Sequence, residues 1–199
     1  MKYFLFVLGM LALTTTSIAQ QKDTLSGNNV EPNLYKLKLI MPGIGYERSL
    51  FNNFSLSADM VFTYFGGFSG RPSAGIDMYL GTQLKAKIQG RYYYNFGARK
   101  ELGRNTFGNS ANYFAAQFVV TRGLFDLVQP PETARVNRFG FHPVVGIIWG
   151  MQRSYKSNLF INVELGLNYA FRSGTGYATQ PHLGFSLGYL LFRNHQMKK

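Results

Sequence analysis

The chain contains no cysteine. It therefore has no disulfide and no lipid anchor on a lipoprotein-type cysteine, and an exported fold must be held together by other means. Histidine is scarce too: 3 in the chain and no close pair, so neither a metal site nor a cofactor is expected. Long apolar runs are missing after Leu13. A helix needs ~20 apolar residues to span a bilayer, which excludes a helical membrane protein. Acidic residues are few, 9 against 21 Lys and Arg, for a net charge of +12. That balance suits anionic partners such as lipid head groups, although a count alone names no partner.

The first residues, MKYFLFVLGMLALTTTSIAQ, set the expected compartment. Lys2 precedes an apolar run from Tyr3 to Leu13, and Ser17 and Ala19 stand at the −3 and −1 positions of a small-residue cleavage site. A secretory signal peptide over residues 1–19 is expected, with cleavage before Gln20. The apolar run is too short for a transmembrane anchor. Once Lys2 leaves, the net charge falls to +11. Nucleic acid is not an expected partner of an exported chain. Residues 20–33, QQKDTLSGNNVEPN, read as a flexible lead, and residues 194–199 as a basic tail.

What the chain has in abundance is alternation. Aromatics make up 16% and there are 22 glycines, a mix that suits strands and turns. LFINVELGLNYAFR (159–172) places Ile161, Val163, Leu165, Leu167, Tyr169 and Phe171 on one face, opposite Asn162, Glu164, Gly166, Asn168, Ala170 and Arg172. The same period of two runs through LYKLKLIMPGIGYERSL (34–50), FSLSADMVFTYF (54–65), LKAKIQGRYYYNF (84–96), NYFAAQFVVTR (112–122), FHPVVGIIWGMQ (141–152) and HLGFSLGYLLFR (182–193). Seven strands result, most of 11 to 14 residues. Globular strands run to about 5–6 residues, whereas tilted membrane-crossing strands need about 9–11. Short turns at Asn52-Asn53 and RSYKSN, against longer segments at 66–83 and 123–140, match the short-turn and long-loop ends of an outer-membrane barrel. The predicted fold is all-β, a transmembrane antiparallel up-and-down barrel of about eight strands over residues 34–193. Single-chain bacterial barrels have even strand counts. The missing strand lies either within 34–50, where Pro42-Gly43 interrupts the pattern as a bend or bulge, or in the polar lead.

The polar faces carry Gly, Ala, Ser, Asn and Gln with few charges, which fits a narrow interior better than a face on bulk water. The charges present are of both signs: Lys36, Lys38, Asp59, Lys85, Lys87, Arg91 and Glu164. Buried charges are tolerated when paired, so an ion-pair network filling the lumen is predicted. An eight-stranded barrel is filled by side chains and is not a pore. On the apolar faces, Tyr35, Tyr64, Tyr92, Tyr94, Trp149, Tyr169 and Tyr189 are candidates for an aromatic girdle. Arg71, Arg122, Arg135, Arg138 and Arg172 fall in or beside the long loops. They are either simply solvated or contact lipopolysaccharide phosphates, which suit the planar guanidinium fork.

Catalytic signals are weak. GFSLG (184–188) matches the nucleophile-elbow spacing, but that motif needs a sharp strand-to-helix turn, and alternation runs straight through Ser186. Four residues of strand span roughly 13 Å, which separates His182 from Ser186. His142 and His182 at the expected outer rim, with Asp77, Asp126 and Glu132 on outer loops, form the basis of an alternative reading as a lipid A-modifying enzyme. A small-solute channel is a third reading.

RYYYNF (91–96), GNSANYF (108–114) and WGMQRSYKSN (149–158) resemble an uncharacterised family of small bacterial outer-membrane β-barrel proteins, grouped with the eight-stranded outer-membrane protein A and X types. The resemblance covers roughly residues 34–193. It implies a Gram-negative cell-envelope protein of the outer membrane and offers no catalytic residues to carry over. The last strand departs from the usual assembly signal, a C-terminal aromatic, because Phe192 is followed by RNHQMKK. The expected role is structural or surface-interactive, without catalysis. The expected partners are outer-membrane lipid, lipopolysaccharide and, during biogenesis, the barrel-assembly machinery, and the chain is expected to be a monomer.

Overall fold

The computed structural model describes residues 30–71, 75–128, 141–171 and 178–193. Eight antiparallel strands close into one barrel: β1 (Asn33–Lys38), β2 (Gly43–Phe51), β3 (Phe54–Arg71), β4 (Gly75–Tyr92), β5 (Asn112–Val128), β6 (Phe141–Ser154), β7 (Leu159–Ala170) and β8 (Ala178–Arg193). Each strand pairs with its neighbours in sequence, and β1 closes on β8 through pairs such as Leu37 with Tyr189. Closure leaves no free edge in the lower part of the barrel, whereas above the short β1–β2 hairpin β3 beyond Phe62 and β8 before Leu187 have no partner strand on that side among the described residues. The lower end carries the β2–β3, β4–β5 and β6–β7 connections, and the upper end the other four.

The first alternating segment holds two strands, not one. Residues 39–42 form a turn, so that Lys38 faces Gly43 and Lys36 faces Gly45 across a hairpin. This supplies the eighth strand. The turn is hidden in the sequence because its residues, Leu39, Ile40 and Met41, are apolar and about half exposed. Backbone bonds from Leu39 to Leu187 (2.9 Å) and from Phe62 to Pro42 (2.9 Å) tie the hairpin tip to its neighbours.

The expected loop over 66–83 is also mostly ladder. β3 and β4 stay paired from Phe54 with Tyr92 up to Arg71 with Gly75. Likewise β5 continues to Val128. Glycines at 66, 67, 70, 75 and 81 carry no side chain to register a face, yet their backbones pair normally. Tight turns at the lower end use asparagine with positive φ, Asn52 (41°) and Asn158 (64°), a conformation Asn tolerates better than most side chains.

The two faces of the sheet are inverted relative to a water-soluble barrel. On β3, Ser55, Ser57, Asp59, Val61 and Thr63 point inward and are buried, while Phe54, Leu56, Met60, Phe62 and Tyr64 point outward and are exposed. The outer wall includes Ile147 at 74% and Leu183 at 80% exposure. Large contiguous apolar patches of this kind are rare on the surfaces of soluble monomers.

The lower end has its own small core. β4 stops at Tyr92, and the chain turns beneath the barrel through α1 (Phe96–Glu101) and a 3-10 turn (Phe107–Asn109) before re-entering as β5. Val30, Tyr93, Phe96, Ala111, Tyr113, Ala115 and Ile148 pack together there. Val30 belongs to the stretch read as a flexible lead, yet it is buried, and Glu31 bonds to the cap through Gly108 N (2.8 Å) and Asn109 Oδ1 (2.7 Å). Gly108 sits at φ 56°, and a Cβ there would meet Leu190 and Ser154, so glycine is required by both backbone and space.

Candidate functional site

The interior is the place where this fold concentrates chemistry. Period-two alternation on eight strands aims every second side chain at one axis. Three carboxylates organise the space, one above another.

The lowest is Glu47 of β2, fully buried. It is ion-paired to Lys36, and to Arg91 at 3.0 Å. It also accepts hydrogen bonds from Ser55 Oγ (2.7 Å), Tyr93 Oη (2.7 Å) and Asn109 Nδ2 (2.9 Å). Gln152 Oε1 accepts from Lys36 Nζ (2.8 Å) and Arg91 Nη1 (3.2 Å), and Gln152 Nε2 donates to the Gly108 carbonyl (2.6 Å). The cap and the charged tier are thus one hydrogen-bonded unit.

The middle carboxylate is Glu164 of β7. It accepts from Lys87 Nζ (2.9 and 3.0 Å), Gln89 Nε2 (3.1 Å), Tyr113 Oη (2.9 Å) and Asn162 Nδ2 (3.0 Å). Arg91 Nη2 lies 3.6 Å away and His182 Nε2 3.3 Å. The Arg91 guanidinium also lies over the Tyr113 ring, 4.7 Å from its centre. Tyr113 can cross the lumen because Gly150 stands opposite: a Cβ there would run into its ring.

The upper carboxylate, Asp59 of β3, faces Lys38 (2.9 Å) and Lys87 (3.5 Å). Lys85 of β4, next above Lys87 on the same inner face, forms no ion pair among the described residues.

Of the seven residues predicted for the lumen, the structure brings six into ion pairs and leaves Lys85 apart. Sequence reading missed Glu47, the most heavily bonded of the three acids. Its signal was present in GIGYERSL, where Ile44, Tyr46 and Leu50 alternate with Gly45, Glu47 and Ser49. A second signal was the imbalance of five lumen cations against only Asp59 and Glu164. The parity was lost because the unseen turn at 39–42 interrupts the count. Tyr93 and Tyr113 were also missed, since a tyrosine on a polar face reads as a strand-former and not as a donor.

The girdle candidates all lie on the outer wall or at its edge. Tyr35, Tyr92, Tyr94, Trp149 and Tyr189 stand towards the lower end, and Tyr64 and Tyr169 higher up. Trp149 Nε1 donates to Tyr94 Oη (3.1 Å), which ties two of them together. The arginines are not assembled into one site. Arg122 is exposed on β5 with its guanidinium 5.2 Å from the centre of the Phe141 ring, and Arg71 ends β3. Arg135, Arg138 and Arg172 lie outside the described residues.

The catalytic candidates are dispersed. Ser186 continues the β8 ladder opposite Asn162, with no elbow. His182 is engaged with Glu164 and with Asn168 Nδ2 (3.3 Å). His142 is at the start of β6, opposite Thr121, Asp77 pairs with Ser69 in the ladder, and Asp126 lies near the end of β5. Glu132 is outside the described residues. No family model, curated protein or solved structure matches the chain, so the family resemblance rests on the three quoted motifs alone.

Proposed function

We propose that this protein is an integral outer-membrane barrel with a closed, polar lumen and a structural or surface-interaction role without catalysis. The observation that carries the reading is the inverted barrel: ion pairs inside, exposed apolar side chains all round. On β3 the outward apolar face runs from Phe54 to Tyr64. Ten residues at about 3.3 Å each, tilted about 40°, give a band roughly 25 Å tall, the height of the apolar belt of such barrels. Aromatic residues at both limits of that band support the same placement.

The upper end would face outward, with Arg122 stacked on Phe141 at the height of lipid phosphates and lipopolysaccharide as the natural partner. Assembly would rely on the barrel-assembly machinery, and the protein would act as a monomer. The filled lower lumen, where Lys36, Glu47, Gln89, Arg91 and Gln152 are each 2% exposed or less, argues against a solute channel. Ser186 continues the β8 ladder four residues from His182, roughly 13 Å along the strand, which argues against a serine–histidine lipid A-modifying enzyme.

The test is electrophoresis in SDS, cold against boiled, of the outer-membrane fraction. A heat-dependent mobility shift in that fraction is expected, and a soluble periplasmic chain with no shift would refute the placement. Planar bilayers should show no steady conductance, and lipid A from cells with and without the protein should have the same mass spectrum.

A further inference from the structure

The upper lumen holds a cavity of about 110 Å³ whose wall includes Lys38, Asp59, Thr63, Lys85, His182 and Ser186. Both of its carboxylates have cations within ion-pair distance, although neither oxygen of Asp59 has a hydrogen-bond donor among the described residues. Asp59 has Lys38 and Lys87, and Glu164 has Lys87 and Arg91. Lys85 is therefore the surplus cation: it forms no ion pair among the described residues and feels Glu164 and Asp59 only at longer range. A second, independent feature points the same way. Thr63, 5% exposed, has a buried hydroxyl with no hydrogen-bond partner among the described residues. The two groups are diagonal neighbours across the β3–β4 ladder, where Val61 faces Lys85 and Thr63 faces Gln83. At such a diagonal, Cα atoms are about 7–8 Å apart, within reach of one small ligand.

We propose that this cavity is a binding site for a small free oxyanion, held by the Lys85 ammonium and the Thr63 hydroxyl with Lys38 beside them. An anion neutralises the surplus charge and gives the hydroxyl an acceptor, which an apolar or cationic ligand does neither of. The volume admits the equivalent of three or four waters, at about 30 Å³ each, which suits a tetrahedral oxyanion and not a sugar or a lipid. The cavity lies above the short β1–β2 hairpin, between β3 and β8, so it opens towards the upper end and to the side where β3 beyond Phe62 and β8 before Leu187 have no partner strand among the described residues.

The experiment uses the full chain purified in neutral detergent and follows the midpoint of its heat-induced mobility shift. Sodium phosphate is compared with sodium chloride at equal ionic strength, in the wild type, Lys85→Gln and Thr63→Val. Specific binding to the folded state raises the midpoint. Phosphate should raise it in the wild type, not in Lys85→Gln, and with about tenfold weaker apparent affinity in Thr63→Val. No rise in the wild type, or an equal rise in all three proteins, overturns the site. A rise with phosphatidylglycerol micelles but not with inorganic phosphate would assign the effect to a lipid headgroup at the rim and would equally overturn it. The mobility shift itself reports the barrel, so failure of the site and failure of the fold are separable.

Discussion

The two halves of the lumen are built from the same residue types and differ in how completely they are satisfied. Below, Glu47 has two cations and three neutral donors, and the cap closes over it. Above, Asp59 has two cations and no such retinue of donors, and among the described residues Lys85 forms no ion pair and the Thr63 hydroxyl has no hydrogen-bond partner. A buried polar network fully satisfied is rigid and specifies one arrangement, while a partly satisfied one has room for something else. The lower half is therefore the structural floor of the barrel and the upper half its receptive side.

The sharpest way to break the contrast is Glu47→Ala. It strands Lys36 and Arg91 together in a buried space, which costs about 3–5 kcal/mol, and the variant should fail to refold or should lose its mobility shift at a much lower temperature. Survival with unchanged stability would mean that the lower tier is hydrated and not sealed. Next in size is Met60→Arg on the outer wall, midway up the band. If lipid surrounds the barrel, a charge there costs about 2–4 kcal/mol. Urea unfolding in lipid vesicles would measure it, and a cost near zero would place that face in water. Tyr113→Phe removes one hydroxyl that Glu164 and Asn162 share. A loss of about 1–3 kcal/mol is expected from the same unfolding curves. The smallest effect belongs to Lys85→Met, within about 0.5 kcal/mol of the wild type or slightly stabilising, because no pair is broken. Lys87→Met, one step lower, should instead be clearly destabilising, since it deprives both Asp59 and Glu164 of a cation. If the two lysine variants behave alike, the division of the lumen into a paired and an unpaired part is wrong.

Much of this architecture is legible in the amino-acid sequence. β5, β6, β7 and β8 stand close to where alternation places them, and the inward residues follow from parity alone. The errors have specific causes. The β1–β2 turn is made of Leu39, Ile40 and Met41, which carry none of the usual turn chemistry. The extension of β3 and β4 is written in glycines, which have no face to show. The cap beneath the barrel shows no helical pattern in the sequence because its helix spans only Phe96–Glu101, too short for a helical period to emerge.

Sequence alone determined that the chain is all-β, that its strands have one polar and one apolar face, and which side chains share each face. Those properties are local: a period of two is set by backbone geometry, whatever the strand pairs with. Only the tertiary structure decided that the strands number eight, that Glu47 holds the floor, and that Lys85 and Thr63 are left over. Pairing across a lumen joins residues as far apart as Lys36 and Gln152, separated by 116 positions, and no local pattern encodes which of several inward charges will meet. That choice follows from strand register and closure, which exist only once the barrel has formed.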